Sequence, residues 1–307
     1  MEEILDNVKV NFDEQALWTL NIALAFVMFG VALEIKPSDF KRILLEPKLL
    51  LTGILSQFIA LPFLTFILVW IIRPIPSVAL GMIMVAACPG GNISNFITHL
   101  AKGNSALSVS LTAFATLLAI FFTPLNLQFW GGLYEPTQLI LQNVAIEPWQ
   151  MVKLVALLLA VPLILGIICN TYFPVRSKKL SKFFKIASLL FFIVLIGLAL
   201  GKNKSVFLEY VPYVFWLVLL HNCIALITGF SLSKLMGLNM EDTKSITIET
   251  GIQNSGLGLL LIFTFFEGLG GMALIAAFWG IWHLVSGLVL GSIWSRMRST
   301  KKKVLNG

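Results

Sequence analysis

Nine apolar runs, joined by connectors too short for a soluble domain, constrain this chain more than any motif in it. A hydrocarbon core about 30 Å thick is crossed by a helix of about 20 such residues. The runs fall near 16–34, 49–72, 77–101, 105–128, 151–172, 184–201, 206–231, 244–266 and 270–294. The longest connector, near 129–150, contains "LYEPTQLILQNVAIEPW" and reads as a segment lying along the membrane interface. Composition agrees: 58% of residues are hydrophobic and 12% charged, against about 45–50% and about 25% in soluble chains. The chain is therefore read as an all-α integral membrane protein.

Charge orients the spans. With the N-terminus outside, 17 of the 22 Lys and Arg residues fall in cytoplasmic segments and 5 in outer ones. The positive-inside rule predicts that arrangement, with the C-terminus cytoplasmic. The net charge of +7 then reflects loops and a basic tail, "SRMRSTKKK", facing lipid headgroups rather than nucleic acid. The expected place is the cytoplasmic (inner) membrane of the cell, multi-pass, and no obligatory protein partner is inferred. The start, "MEEILDNVKVNFDEQ", lacks the basic-then-apolar order of a signal peptide. Cys88, Cys169 and Cys223 fit no metal spacing and read as small core residues.

Two spans are interrupted in the same way. Span three carries "CPGGNISN" (88–95) and span eight "ETGIQNSG" (249–256), each pairing glycines with amide and hydroxyl side chains midway along an apolar run. A weaker echo precedes each: "SQFIAL" (56–61) and "HNCIAL" (221–226). The predicted topology runs the members of each pair in opposite directions. Spans one to four thus repeat, inverted, as six to nine, with span five unpaired. Inverted repeats with two discontinuous helices near the midplane mark secondary transporters. Unwound backbone in a membrane is tolerated only where protein or a wet cavity satisfies it, and its freed carbonyls and N–H groups then attract cations and anions.

Glu249 is the one acid placed well inside a span. An ionised residue at the helix centre costs about 2.5–3.5 kcal/mol even on insertion scales, so it needs a partner. No Lys or Arg lies at its depth. A small cation ringed by oxygens, a proton, or a structural hydrogen bond would each serve. Ser108 and Thr112 stand four apart on one helix face, Gln57 is an isolated amide one turn before Pro62, and His221 and His283 read as core histidines without metal-ligand spacing. No HExxH, GxxxxGK[ST] or aspartate-rich pair points to an enzyme.

"ACPGGNISNFITHLAKGNSALSVSLT" and "TIETGIQNSGL" resemble the two signature regions of the bile acid:sodium symporter family. "LEIKPSDF", "LSQFIALP", "VLLHN" and the "WH" at 282–283 fall where that family has similar sequence, so the resemblance covers nearly the whole chain. It implies nine transmembrane helices, a ten-helix plan lacking the first, with two crossed discontinuous helices. It also implies a core domain near 49–128 and 206–294 and a panel domain near 16–34 and 151–201. One sodium site would use Ser94, Asn95, Ser108, Thr112 and Glu249. A second would use Gln57, Glu249 and Gln253 with the carbonyls of Thr250 and Ile252, giving two Na+ per cycle. Asn92, Asn254, Ser255 and His283 would face an organic anion. Asn92 replaces a Thr, and Leu284 an Asn, of some bacterial relatives, which makes a small carboxylate of pantoate or keto-acid type as good a substrate as a bile acid. The implied activity is sodium-coupled anion import. A proton-coupled carrier or antiporter of similar fold, with Glu249 as proton carrier, is the alternative.

Overall fold

The structure, a computed structural model, describes residues 22, 25, 26, 28–30, 32–144, 147–184, 186, 187, 190 and 204–305. Helices whose bounds lie among the described residues are, in chain order, α1 (Pro37–Leu44), α2 (Pro47–Ile72), α3 (Pro76–Ala87), α4 (Ile93–Leu100), α5 (Ser105–Leu133), α6 (Glu135–Val144) and α7 (Pro148–Tyr172). α8 (Lys204–Leu235), α9 (Met240–Gly251), α10 (Ser255–Phe265) and α11 (Gly270–Leu305) follow. No strand occurs among the described residues, only an isolated antiparallel bridge between Gly90 and Gln253. Among the described residues five helices, α2, α5, α7, α8 and α11, are long and apolar enough to cross a membrane. The protein is a multi-pass helical membrane protein.

Spans three and eight are each two short helices. Pro89 ends α3 because the residue before a proline is driven out of the helical region; Cys88 is extended, at φ −74° and ψ 157°. α9 stops at Gly251, Ile252 is extended, and Asn254 then caps α10 by accepting from Leu257 N. Asn104 and Asn239 cap α5 and α9 in the same way. Such caps satisfy N–H groups that a helix start otherwise leaves unpaired.

Burial separates an inner set of helices from an outer one. Every residue from Ser77 to Ala87 in α3 and from Asp242 to Gly251 in α9 is buried, as expected of a helix enclosed on all sides. On α2, by contrast, Leu51, Leu55, Ile59 and Phe63 form an exposed apolar stripe at four-residue spacing, the pattern of a lipid-facing face. Close backbone approach holds the interior: a Cβ on Gly81 would lie 2.8 Å from Met272 Cα, and one on Gly229 2.8 Å from Thr247 Cα. Small residues at helix contacts permit this, because packing rather than hydrophobic segregation drives association in lipid.

One boundary differs from expectation. The fourth span runs to Leu133 rather than ending near 128. The connector near 129–150 contains α6, which buries Thr137 and Leu141 and is tied back to α5 where Thr137 Oγ1 donates to Gly131 O at 2.6 Å. Spans one and six fall largely outside the described residues; those described between 22 and 32 are helical.

Candidate functional site

The two interruptions meet. Gly91 N donates to Ile252 O at 2.6 Å, and Asn254 N to Pro89 O at 2.8 Å. Backbone groups freed by one break are thus satisfied by the other, as a membrane interior requires. Glu249, at the end of α9, lies directly beside this junction and is fully buried.

Three hydroxyls surround its carboxylate. Ser94 Oγ donates to Oε2 at 2.6 Å, Thr112 Oγ1 to Oε1 at 2.7 Å, and Ser108 Oγ lies 3.2 Å from Oε2. Asn95 Oδ1 is 2.8 Å from Ser108 Oγ and 3.3 Å from Thr112 Oγ1. Thr112 Oγ1 is also 2.9 Å from Ser108 O. Each hydroxyl owns one proton, so three protons face more oxygen lone pairs than they can satisfy. A dense oxygen cluster with one carboxylate and a deficit of protons suits a hard cation. All five residues expected in the first sodium group, Ser94, Asn95, Ser108, Thr112 and Glu249, are brought together. Among the described residues no three His, Cys, Asp or Glu side chains gather as a metal centre would need.

The second group lies at the same junction. Gln57 Oε1 accepts from Gly90 N at 3.0 Å, and Gln253 Nε2 donates to Thr250 O at 2.7 Å. Gln253 Oε1 is buried without a hydrogen-bond partner, an acceptor that costs free energy until something fills it. The carbonyl of Ile252 is already engaged by Gly91 N, leaving one of its two lone pairs.

The residues expected to meet an anion are more scattered. Asn254 spends its Oδ1 on the α10 cap, while its Nδ2 lies 3.9 Å from Met28 Sδ. Asn92 is half-buried at the start of α4. Ser255 Oγ and His283 Nδ1 are buried without partners. His221 behaves as a core residue: it pairs with Thr65 Oγ1 at 2.7 Å and its ring lies against Trp279.

Sequence reasoning missed several contributors. Ser56 Oγ pairs with Thr250 Oγ1 at 2.6 Å. Asn222 Nδ2 donates to Gly251 O at 2.8 Å, and Ser286 Oγ to Asn222 Oδ1 at 2.6 Å. Ser56 and Asn222 lie inside stretches singled out for other reasons, "SQFIAL" and "VLLHN", but a single polar side chain in an apolar run does not announce its partner. Met28, an ordinary apolar residue, carried no signal.

Residues 21–210 match the sodium bile acid symporter family. The chain is 32% identical to the sodium-dependent transporter YocS of Bacillus subtilis, over 92% of this chain and 84% of that one. It is 31% identical to the probable sodium/metabolite cotransporter BASS1 of Oryza sativa, a chloroplast protein, over 92% and 67%. With the sodium-dependent organic anion transporter of Mus musculus the identity is 28%, over 92% and 74%. The oxygen cluster at two interrupted helices and these matches lead to one assignment: the chain belongs to the sodium bile acid symporter family.

Proposed function

We propose that the protein imports an organic anion together with sodium, by alternating access, through two sodium sites that share Glu249. The observation that carries this reading is the buried Glu249 carboxylate among Ser94, Asn95, Ser108 and Thr112, with fewer protons than lone pairs. The names of the relatives, sodium-dependent and two of them cotransporter or anion transporter, support sodium and an anion as the coupled pair. Gln57, Thr250, Gln253 and the free lone pair of Ile252 O form the second site. Asn92, Asn254, Ser255 and His283 offer donors to a carboxylate, most directly Asn254 Nδ2, whose neighbour Met28 is a soft, displaceable side chain.

The two breaks cross at the junction and belong to a core (near 49–128 and 206–294) that moves against a panel (near 16–34 and 151–201). Because Glu249 serves both sites, emptying them leaves a buried carboxylate with too few partners. That cost favours loading both ions before the core moves. The expected orientation is N-terminus outside, C-terminus cytoplasmic.

Two sodium ions with a monoanion carry net positive charge inward, so an inside-negative potential accelerates uptake. Purified protein in liposomes, given an inward sodium gradient, should accumulate a small carboxylate or a bile-acid-like anion. An imposed inside-negative potential should raise the rate, and choline or potassium in place of sodium should reduce it to background. Uptake driven by a proton gradient without sodium would overturn sodium coupling and favour Glu249 as a proton carrier.

A further inference from the structure

Helix α2 is not regular where it carries Gln57. Residues Ser56–Ala60 form a π turn, with Leu61 N reaching back to Ser56 O. Pro62 follows and has no N–H, so the α-helical bond to the carbonyl four residues earlier, Phe58 O, cannot form. A carbonyl left open in a buried helix is costly unless another donor reaches it. Asn126 of α5 supplies that donor: its Nδ2 lies 3.1 Å from Phe58 O. The other end of the amide is held as well, because Trp130 Nε1 donates to Asn126 Oδ1 at 3.0 Å. Trp130 is in turn packed against Phe63, Phe66 and Phe129, and Phe58 against Phe122 of α5.

We infer that Asn126 is a positioning residue for the second sodium site, fixing the π turn so that Gln57 points at the junction. The turn has two side chains engaged there: Ser56 with Thr250 and Gln57 with Gly90 N. π turns are rare and occur mostly as single turns inside α-helices, frequently at functional sites. Helix α5 therefore contributes twice. Near its start Ser108 and Thr112 contact Glu249 directly; further along, Asn126 sets the backbone that presents Gln57. This inference rests on the reading of Gln57 as a sodium ligand.

The test is sodium-dependent thermal stabilisation of the full-length purified protein, read as the half-saturating NaCl concentration and the Hill coefficient. Asn126→Ala should raise half-saturation by roughly three- to tenfold, the scale of one lost buried hydrogen bond, and bring the Hill coefficient towards one. Gln57→Ala should do the same, and the double variant should be no worse than Gln57→Ala alone. Trp130→Phe, which keeps an aromatic ring, though a smaller one, but removes the indole donor, should shift half-saturation in the same direction by less. It also serves if Asn126→Ala does not fold. A merely structural role would lower the melting temperature equally with and without sodium and leave half-saturation unchanged; that result overturns the inference. Additive effects of Asn126→Ala and Gln57→Ala overturn it too. If Gln57→Ala leaves the sodium response intact, the underlying two-site reading falls, and the positioning role falls with it.

Discussion

Replacing Glu249 with Gln is expected to make the protein more stable than wild type without sodium and less stable with it. In choline chloride the wild-type carboxylate is buried with only the protons of Ser94, Ser108 and Thr112 nearby. Holding an ionised group there costs about 2.5–3.5 kcal/mol, and Gln removes that cost at nearly constant volume. In sodium the balance reverses: a ligand bound only by the folded protein stabilises it by about 2.7 kcal/mol at 100 times its dissociation constant. The melting temperatures of the two proteins, plotted against NaCl, should therefore cross. Sodium-driven uptake by the variant should fall by about 100-fold or more, the kinetic equivalent of that binding energy. A Gln variant stabilised by sodium as strongly as wild type would remove the carboxylate from the ligand set. A wild-type curve insensitive to sodium but sensitive to pH would transfer Glu249 to proton carriage.

What the sequence conveyed and what it withheld follow from the range of the interactions. Apolar length is a local property, so α2, α5, α7, α8 and α11 stand where their runs predict them. The breaks at 88–95 and 249–256 were equally legible, because Pro89, the glycines and the amide side chains act on their own backbone. Ser108 and Thr112, four apart, share a face and both reach Glu249. Pairing across distant segments was not legible in the residues themselves; the resemblance alone implied that the two breaks cross and that Ser94, Asn95, Ser108 and Thr112 gather with Glu249. Nothing in "CPGGN" says that Gly91 N will bond Ile252 O, and nothing near Asn126 says that it will serve a carbonyl in α2. Asn254 shows a second limit. It was expected to meet a substrate, and in the fold its Oδ1 caps α10, a use of the amide that was not anticipated. The fourth span, expected to end near 128, extends to Leu133, through Gly131 and Gly132, residues that weaken a helix. Gly131 packs within 2.9 Å of Leu141 of α6, measured from the position its Cβ would occupy.

A single methyl group at the junction should distinguish the two glycines of "PGG" from each other. Neither has a left-handed φ, so what is required of them is space. A Cβ on Gly91 would stand 2.9 Å from Gln253 O and 3.2 Å from its carbonyl carbon. These are backbone atoms fixed by the Gly91–Ile252 and Asn254–Pro89 hydrogen bonds, so they cannot give way cheaply. Gly91→Ala should therefore force the breaks apart and lower stability by about 1–3 kcal/mol, the usual cost of overpacking, equally in NaCl and choline chloride. A Cβ on Gly90 would instead stand 2.5 Å from Glu249 Oε1, with the backbone carbonyl oxygen of Glu249 at 3.0 Å. Oε1, the closest of these atoms, is the end of a side chain, so the carboxylate can turn, but it then leaves Thr112 and the proposed cation position; the carbonyl contact adds a smaller loss of stability. Gly90→Ala should thus act mainly on the sodium response, raising half-saturation by more than about tenfold, or about 1.4 kcal/mol. Uptake should fall to background in both. Gly258→Ala is the control, since its new methyl would meet only Cys88 Sγ at 3.6 Å, an ordinary contact, and transport should persist. Melting curves with and without sodium separate the cases: a parallel shift for Gly91, a lost sodium response for Gly90, neither for Gly258. Full transport by Gly91→Ala would show that the breaks need not touch for the carrier to work, and the junction would lose its place at the centre of the mechanism.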